Sequence, residues 1–325
     1  MGARKTYVTA CFDTKPYDLP GMKKYGEEAG IAFHFLETKL GAQTAALAEE
    51  CGAQAVCIFV NDRADRAVID RLCSAGVKLI ALRCAGINNV DMAYAEGKIG
   101  VIRVPGYSPH AVAEHAMAML LSSARHLHKA YARTRDFNFS LRGLTGFELY
   151  GKTVGVVGTG RIGRVFAELC RGFGMRVLAY DKFPDPASGL VYAPLEQLFA
   201  ESDVITLHCP LTEETRHLIG RESIAVMKPG IILLNTSRGA LVDTAALLEG
   251  IKSHRIGAAC MDVYEEEADL FFEDRSDDIL QDDNLARLLS MPNVLVTSHQ
   301  AFLTREALDT IAREICFGIR RFFEG

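Results

Sequence analysis

Side chains at three strand ends in the second half of the chain could together reduce a carbonyl group. Arg238 follows the apolar run 230–235, Asp262 ends the run 256–262 with Glu267 beyond it, and His299 follows 293–297. Each run reads as a buried parallel strand. Each polar residue therefore stands just past a carboxyl end, where open α/β sheets bind ligands. Taken singly, such residues are ordinary. An arginine in a turn is usually a solvated charge, a Glu265-Glu266-Glu267 run a solvated face, and a histidine after a strand a satisfied core or surface residue. Taken together, they provide a fork-shaped cation for a carboxylate and a proton donor and acceptor suited to neutral pH. They also provide an acid to fix the histidine's tautomer. That set suits reduction of a 2-keto acid, provided a hydride source lies beside it.

Residues 153–181, TVGVVGTGRIGRVFAELCRGFGMRVLAYD, read as the site for that source. A β-branched run (153–157) leads into Gly158, Gly160 and Gly163, spaced G-x-G-x-x-G, then an amphipathic segment from 161 to about 173. A second apolar run, 175–180, ends on Asp181. Gly158 permits the tight turn, Gly160 has no Cβ to block a pyrophosphate, and Gly163 lets the helix lie close on the strand. The N–H groups at the helix start receive phosphates. Asp181 would accept the adenosine ribose hydroxyls and repel a 2′-phosphate, which selects NAD over NADP. A lone G-x-G-x-x-G is weak evidence, but here strand, turn, helix, strand and acid arrive in order. Thr159, Arg161 and Ile162 in the same turn, with His208, Cys209, Pro210, Thr236 and Ser237 at neighbouring strand ends, complete the expected cofactor surface.

A chain of 325 residues is long enough for two domains with sizeable cores. Its net charge of −5 gives no case for nucleic acid or an anionic membrane, which want basic patches. No apolar run approaches the roughly 20 residues that span a bilayer, and no secretory apolar region opens the chain. Met1 to Thr6 matches the myristoylation pattern, but no polybasic cluster follows and the match reads as chance. Nine cysteines without CxxC spacing, most of them inside apolar runs, point to a reducing, cytoplasmic setting and no metal.

The first hundred residues alternate strand-like runs (7–10, 32–36, 55–59, 79–82, 101–104) with helical stretches such as 42–51 and 66–75. That alternation predicts a parallel sheet covered on both faces. This half has no glycine fingerprint. Its notable loop is RCAGINNVD, 83–91, after a strand end, where Cys84, Ala85 and Gly86 could offer backbone N–H groups to an anion. The other reading is a plain strand-to-helix turn. Ser108 and Pro109 then start a helix whose apolar spacing runs to about Tyr131, marking a domain junction where a cleft is expected and placing Tyr107 beside it. His110, His115, His126 and His128 lack H-E-x-x-H spacing and read as surface or interface residues. After the strand at 203–208, Pro210 stops regular pairing and Thr212 is a candidate cap for a following helix.

At these residues the chain resembles the D-isomer-specific 2-hydroxyacid dehydrogenases, nearest their NAD-dependent D-lactate dehydrogenase branch. RCAGINNVD, VPGYSPHAVAEHA, VGVVGTGRIG, NTSRGALVD, MDVYEEE, LFFEDRSDDILQDD and HQAFLTREAL look like family segments in family order across essentially the whole chain. LFFED and HQAFLT look specific to the lactate branch. The resemblance implies two doubly wound parallel-sheet domains, with a Rossmann-type NAD domain (104–302) inserted into a flavodoxin-like substrate domain (1–103 and 303–325). It implies Arg238 on the substrate carboxylate and carbonyl, His299 as acid and base, and Glu267 as its partner. Ala85 and Gly86 become backbone donors, Tyr107 and Phe302 line the substrate pocket, and Asp262 faces the nicotinamide. Ser298 stands where many relatives carry proline or glycine, a change in loop stiffness rather than chemistry. An end at Gly325 fits the shorter relatives rather than the phosphoglycerate type. A homodimer or higher homo-oligomer built on the 109–135 helix is implied as well. Three readings stay open: pyruvate as substrate, a bulkier keto acid such as phenylpyruvate or 2-ketoisocaproate, and a non-catalytic NAD-sensing protein.

Overall fold

The computed structural model describes residues 5–325, the side chain of Asp269 aside, so most of the Met1–Thr6 match lies outside the described residues. The chain divides into two compact units, Met1–Ser108 with Leu303–Gly325, and Pro109–Phe302. The first junction falls a few residues past the expected 103/104. Val104 still belongs to the first unit's sheet region, because its N–H donates to the Cys84 carbonyl (3.2 Å).

The first unit is built on strands β1 (Tyr7–Cys11), β2 (Ile31–Phe35), β3 (Ala55–Ile58), β4 (Leu79–Leu82) and β5 (Gly100–Arg103). All pair in parallel, in the order β2-β1-β3-β4-β5. That is the flavodoxin-like doubly wound order. β3 and β4 are buried at every position, as an unbroken apolar run covered on both faces should be. The helix Arg305–Glu324 returns the chain to this unit and packs on the helix Leu19–Ala29. There Tyr25 Oη donates to the Asp309 carboxylate (2.8 Å).

The second unit carries β6 (Thr153–Val157), β7 (Arg176–Tyr180), β8 (Val191–Tyr192), β9 (Val204–Leu207), β10 (Ile231–Asn235), β11 (Ile256–Met261) and β12 (Val294–Val296). Their order is β12-β11-β10-β9-β6-β7-β8, again all parallel. Strand order reverses between β6 and β9, the Rossmann switch point. The helix Arg161–Gly172 buries Gly163, Phe166, Ala167 and Cys170, a single stripe at helical spacing that covers one face of the sheet. A second apolar core fills the other face, from Leu198 through Leu233 to Leu288. All nine cysteines are free thiols, and seven are buried.

Two expected elements differ. The helix read from Pro109 towards Arg135 is two helices, Pro109–Ala124 and Leu127–Arg135, broken at His126, whose φ is +53°. The cause lies downstream. The Phe147 N–H donates to the Ala124 carbonyl (3.1 Å), taking the acceptor that a continuing helix would use. Gly146 alone fits that approach, since a Cβ there would stand 2.2 Å from the same oxygen. Thr212 caps no helix. It exchanges hydrogen bonds with Thr215 inside a short turn, and Thr215 Oγ1 donates to the Pro210 carbonyl (2.8 Å).

Candidate active site

The parallel register brings the ends of β10, β11 and β12 level. Asn235 pairs with Met261, and Met261 with Val296. The loops carrying Arg238, Asp262 with Glu267, and His299 therefore leave the sheet side by side.

Asn235, fully buried, shapes the first loop. Its carboxamide donates to the Arg238 carbonyl (2.8 Å) and accepts from the Ser237 N–H (3.0 Å). Arg238 is half-buried, and its guanidinium donates to the Ser237 carbonyl (2.6 Å). Ser237 Oγ donates to the Cys209 carbonyl (2.7 Å), tying this loop to the one after β9.

His299 Nδ1 lies 2.7 Å from Glu267 Oε1, with both side chains largely buried. Glu267 Oε2 accepts the Tyr264 N–H (2.8 Å). With Nδ1 donating to a carboxylate, Nε2 is left as the ring nitrogen that exchanges a proton. His299 has φ +54°, a backbone region that non-glycine residues seldom adopt. Asp262 holds it there: its carbonyl accepts the His299 N–H (2.6 Å), and its carboxylate accepts the Gln300 and Ala301 N–H groups (2.9 Å each) and the Thr297 hydroxyl (2.6 Å). His115 joins this group, with Nε2 3.1 Å from Thr297 Oγ1 and 3.4 Å from Asp262 Oδ1. Burial pushes the Asp262 carboxyl up, but its bonds to His115, Thr297 and Ala301 outweigh that and hold it below the ordinary carboxylate value. Sequence reading missed this network. It took His115 for a surface or interface residue and gave Asp262 a face towards the cofactor; Asp262 is fully buried, with its carboxylate taken up by the turn that carries His299.

At the switch point, Gly158, Gly160, Tyr180, Asp181, His208, Cys209 and Pro210 line a cavity of about 630 Å³. Gly158 has φ +95°, and a Cβ there would stand 2.6 Å from the Cys209 amide nitrogen. A Cβ on Gly163 would stand 2.0 Å from the Gly158 carbonyl, so the helix lies on the turn as expected. Gly160 faces open space, and no side chain caps the helix that starts after it. The Thr236 hydroxyl is buried with no hydrogen-bond partner among the described residues. An uncapped helix start and an open glycine fit a dinucleotide. Asp181 is pinned towards the turn, its Oδ2 accepting the Thr159 N–H (2.7 Å) and hydroxyl (3.1 Å). Burial pushes the Cys209 thiol up to about 11 and His208 down to about 4, so both present neutral walls. Arg161, Ile162, Thr236 and Ser237 are not among the residues lining this cavity.

In the first unit, the loop after β4 is fixed from behind. The buried Arg83 donates to the carbonyls of Phe12 (3.0 Å) and Asp13 (2.5 Å). Arg103 Nη1 donates to the Ala85 carbonyl (2.6 Å), and Cys84 Sγ to the Gly86 carbonyl (3.4 Å). In planar trans peptides the N–H groups that follow these carbonyls, those of Gly86 and Ile87, point the other way. Tyr107 is half-buried. Phe302 is buried in the second unit.

Known proteins resemble this chain over most of its length. The sequence profile of the D-isomer specific 2-hydroxyacid dehydrogenase NAD binding domain matches residues 117–301. The D-lactate dehydrogenase of Escherichia coli (strain K12) is 52% identical over 308 residues, covering 94% of this chain and 93% of that one. Among solved structures, the pyruvate reductase of Chlamydomonas reinhardtii matches with a TM-score of 0.91 at 46% identity, covering 98% of this chain and 96% of the other. A D-2-hydroxyisocaproate dehydrogenase matches with a TM-score of 0.84 at 30% identity, covering 97% and 96%.

Proposed function

The chain belongs to the D-isomer specific 2-hydroxyacid dehydrogenase family, an NAD-binding oxidoreductase, and from that premise we propose that it interconverts pyruvate and D-lactate. The observation that carries the reading is the His299–Glu267 pair (2.7 Å), standing on loops level with that of Arg238. NADH, when bound at the switch-point cavity, supplies the hydride. Arg238 binds and orients the keto-acid carboxylate. The Ala85 and Gly86 amides add backbone donors to the same group, and Tyr107 and Phe302 bound the small side chain. His299 Nε2 gives a proton to the carbonyl oxygen as the alkoxide forms and takes it back in the reverse direction. Glu267 holds the imidazole in the tautomer this needs and stabilises its cation. The similarity to the E. coli D-lactate dehydrogenase supports pyruvate over bulkier acids.

The test is NADH oxidation by the purified protein with pyruvate, phenylpyruvate and 2-ketoisocaproate in parallel, with chiral separation of products. Preference for pyruvate with D-lactate as product is expected. A preference for phenylpyruvate would keep the mechanism and overturn the substrate. Absence of turnover with all three would leave an NAD-binding protein without catalysis.

The same reading covers assembly and location. The free cysteines, and the lack among the described residues of any helix long and apolar enough to cross a membrane, support a cytoplasmic protein. The exposed apolar side chains between residues 127 and 150 support a homodimer.

A further inference from the structure

The rim of the cofactor cavity carries a charge pair that the catalytic reading does not use. Lys182 follows Asp181, and Glu214 stands in the turn after β9; both line the cavity with Asp181 and Glu213. Lys182 Nζ lies 2.5 Å from Glu214 Oε2, and both side chains are more than half exposed. The lining thus holds three carboxylates and a single ammonium. In dinucleotide folds a basic side chain near the strand-end acid is what accommodates a 2′-phosphate. This chain has a cation next in sequence to that acid, yet Glu214 engages it.

We propose that the Lys182–Glu214 ion pair is a second determinant of cofactor choice. By neutralising Lys182, Glu214 denies a 2′-phosphorylated cofactor the one cation in this cavity lining and leaves the negative charge of Asp181 unopposed. The inference rests on the reading that this cavity takes the adenosine end of NAD. It makes Glu214, across the cleft, as much a part of the selectivity as the acid that the glycine fingerprint points to. The pair is solvent-exposed, so its grip on Lys182 weakens with salt.

Affinities for NADH and NADPH, read from the change in nicotinamide fluorescence on binding without substrate, separate the terms in wild type, Glu214→Gln, Lys182→Gln and the double variant. Glu214→Gln is expected to narrow the NADH-over-NADPH preference by on the order of tenfold, the effect of one charge-assisted contact to phosphate. Adding Lys182→Gln should return most of that gain, because the freed ammonium is what binds the phosphate. An unmoved ratio in Glu214→Gln, or a gain kept in full by the double variant, overturns the proposal. Wild-type binding of NADH tests the underlying reading separately. Its absence would remove that reading, whereas its presence with an unmoved ratio removes only the role of the pair.

Discussion

Glu267 is held at both oxygens, and that decides what a substitution there must do. Oε1 faces His299 Nδ1 and Oε2 accepts the Tyr264 N–H. A glutamine has one acceptor oxygen and one amide nitrogen, so it cannot serve two donors. One of the contacts becomes donor against donor, or the imidazole moves its proton to Nε2 and presents the wrong tautomer to a substrate. Glu267→Gln should therefore lower kcat by about 10²-fold or more. The cofactor cavity, which does not include Glu267, should bind NADH within about twofold of wild type. Stopped-flow hydride transfer and a fluorescence titration on the same preparation check both halves. Unchanged turnover would show that the pair seen here is not the acid–base unit. Arg238, Glu267 and His299 were legible in the sequence because each follows an apolar run at a strand's carboxyl end. The bond between His299 and Glu267 was not, since it joins residues that only the parallel register brings level.

At the scale of elements, the polar hold on the His299 loop comes from Asp262. The strands β10 and β11 are nearly fully buried, while β12 is only half-buried, and the turn after it projects His299 from a left-handed backbone. Three donors of that turn converge on one carboxylate. Asp262→Asn keeps the volume but loses an acceptor and the charge. It should cost about 3 kcal/mol of stability at neutral pH, along with most of kcat. The pH dependence has a definite sign. The Asp262 carboxyl is held below its ordinary value of 3.8 in the folded chain. The unfolded chain therefore takes up its proton first, and the stability it contributes is full above that value and lost as pH falls through the folded one. The variant should show a shallower acid limb below about pH 4 in denaturant midpoints. A limb as steep as wild type would move the role elsewhere. Eleven of the twelve strands were readable to within a residue or two, because continuous apolar runs leave few alternatives; the two-residue β8 gives no such run and was missed. The break at His126 was not readable, because it depends on Phe147 returning to the Ala124 carbonyl. The same holds for Asp262, whose partner Thr297 lies 35 residues away.

At the scale of the molecule, order without burial marks one stretch. Between residues 127 and 150 the chain exposes Leu127, Tyr131, Phe137 (83%), Phe139, Leu141 (80%) and Tyr150. The stretch is nonetheless tied down. Arg133 Nη1 donates to the Arg142 carbonyl (2.7 Å), and the Asn138 N–H to the Arg133 carbonyl (3.0 Å). So many large apolar side chains held in fixed positions are costly to leave in water, and monomeric proteins rarely do so over a contiguous patch. A second copy of the chain presents the same patch, and a twofold axis would let each cover the other, as isologous interfaces require. Light scattering after size-exclusion chromatography should give twice the 35.6 kDa chain mass for the wild type. The double substitution Phe137→Asp with Leu141→Asp should give the single mass, because two charges per copy cannot be buried in an apolar interface without partners. Both side chains are exposed in the isolated chain, so the substitutions should leave its fold intact, and circular dichroism of the monomeric variant checks that. A wild type that elutes as a monomer would remove the homodimer and leave the patch without an occupant.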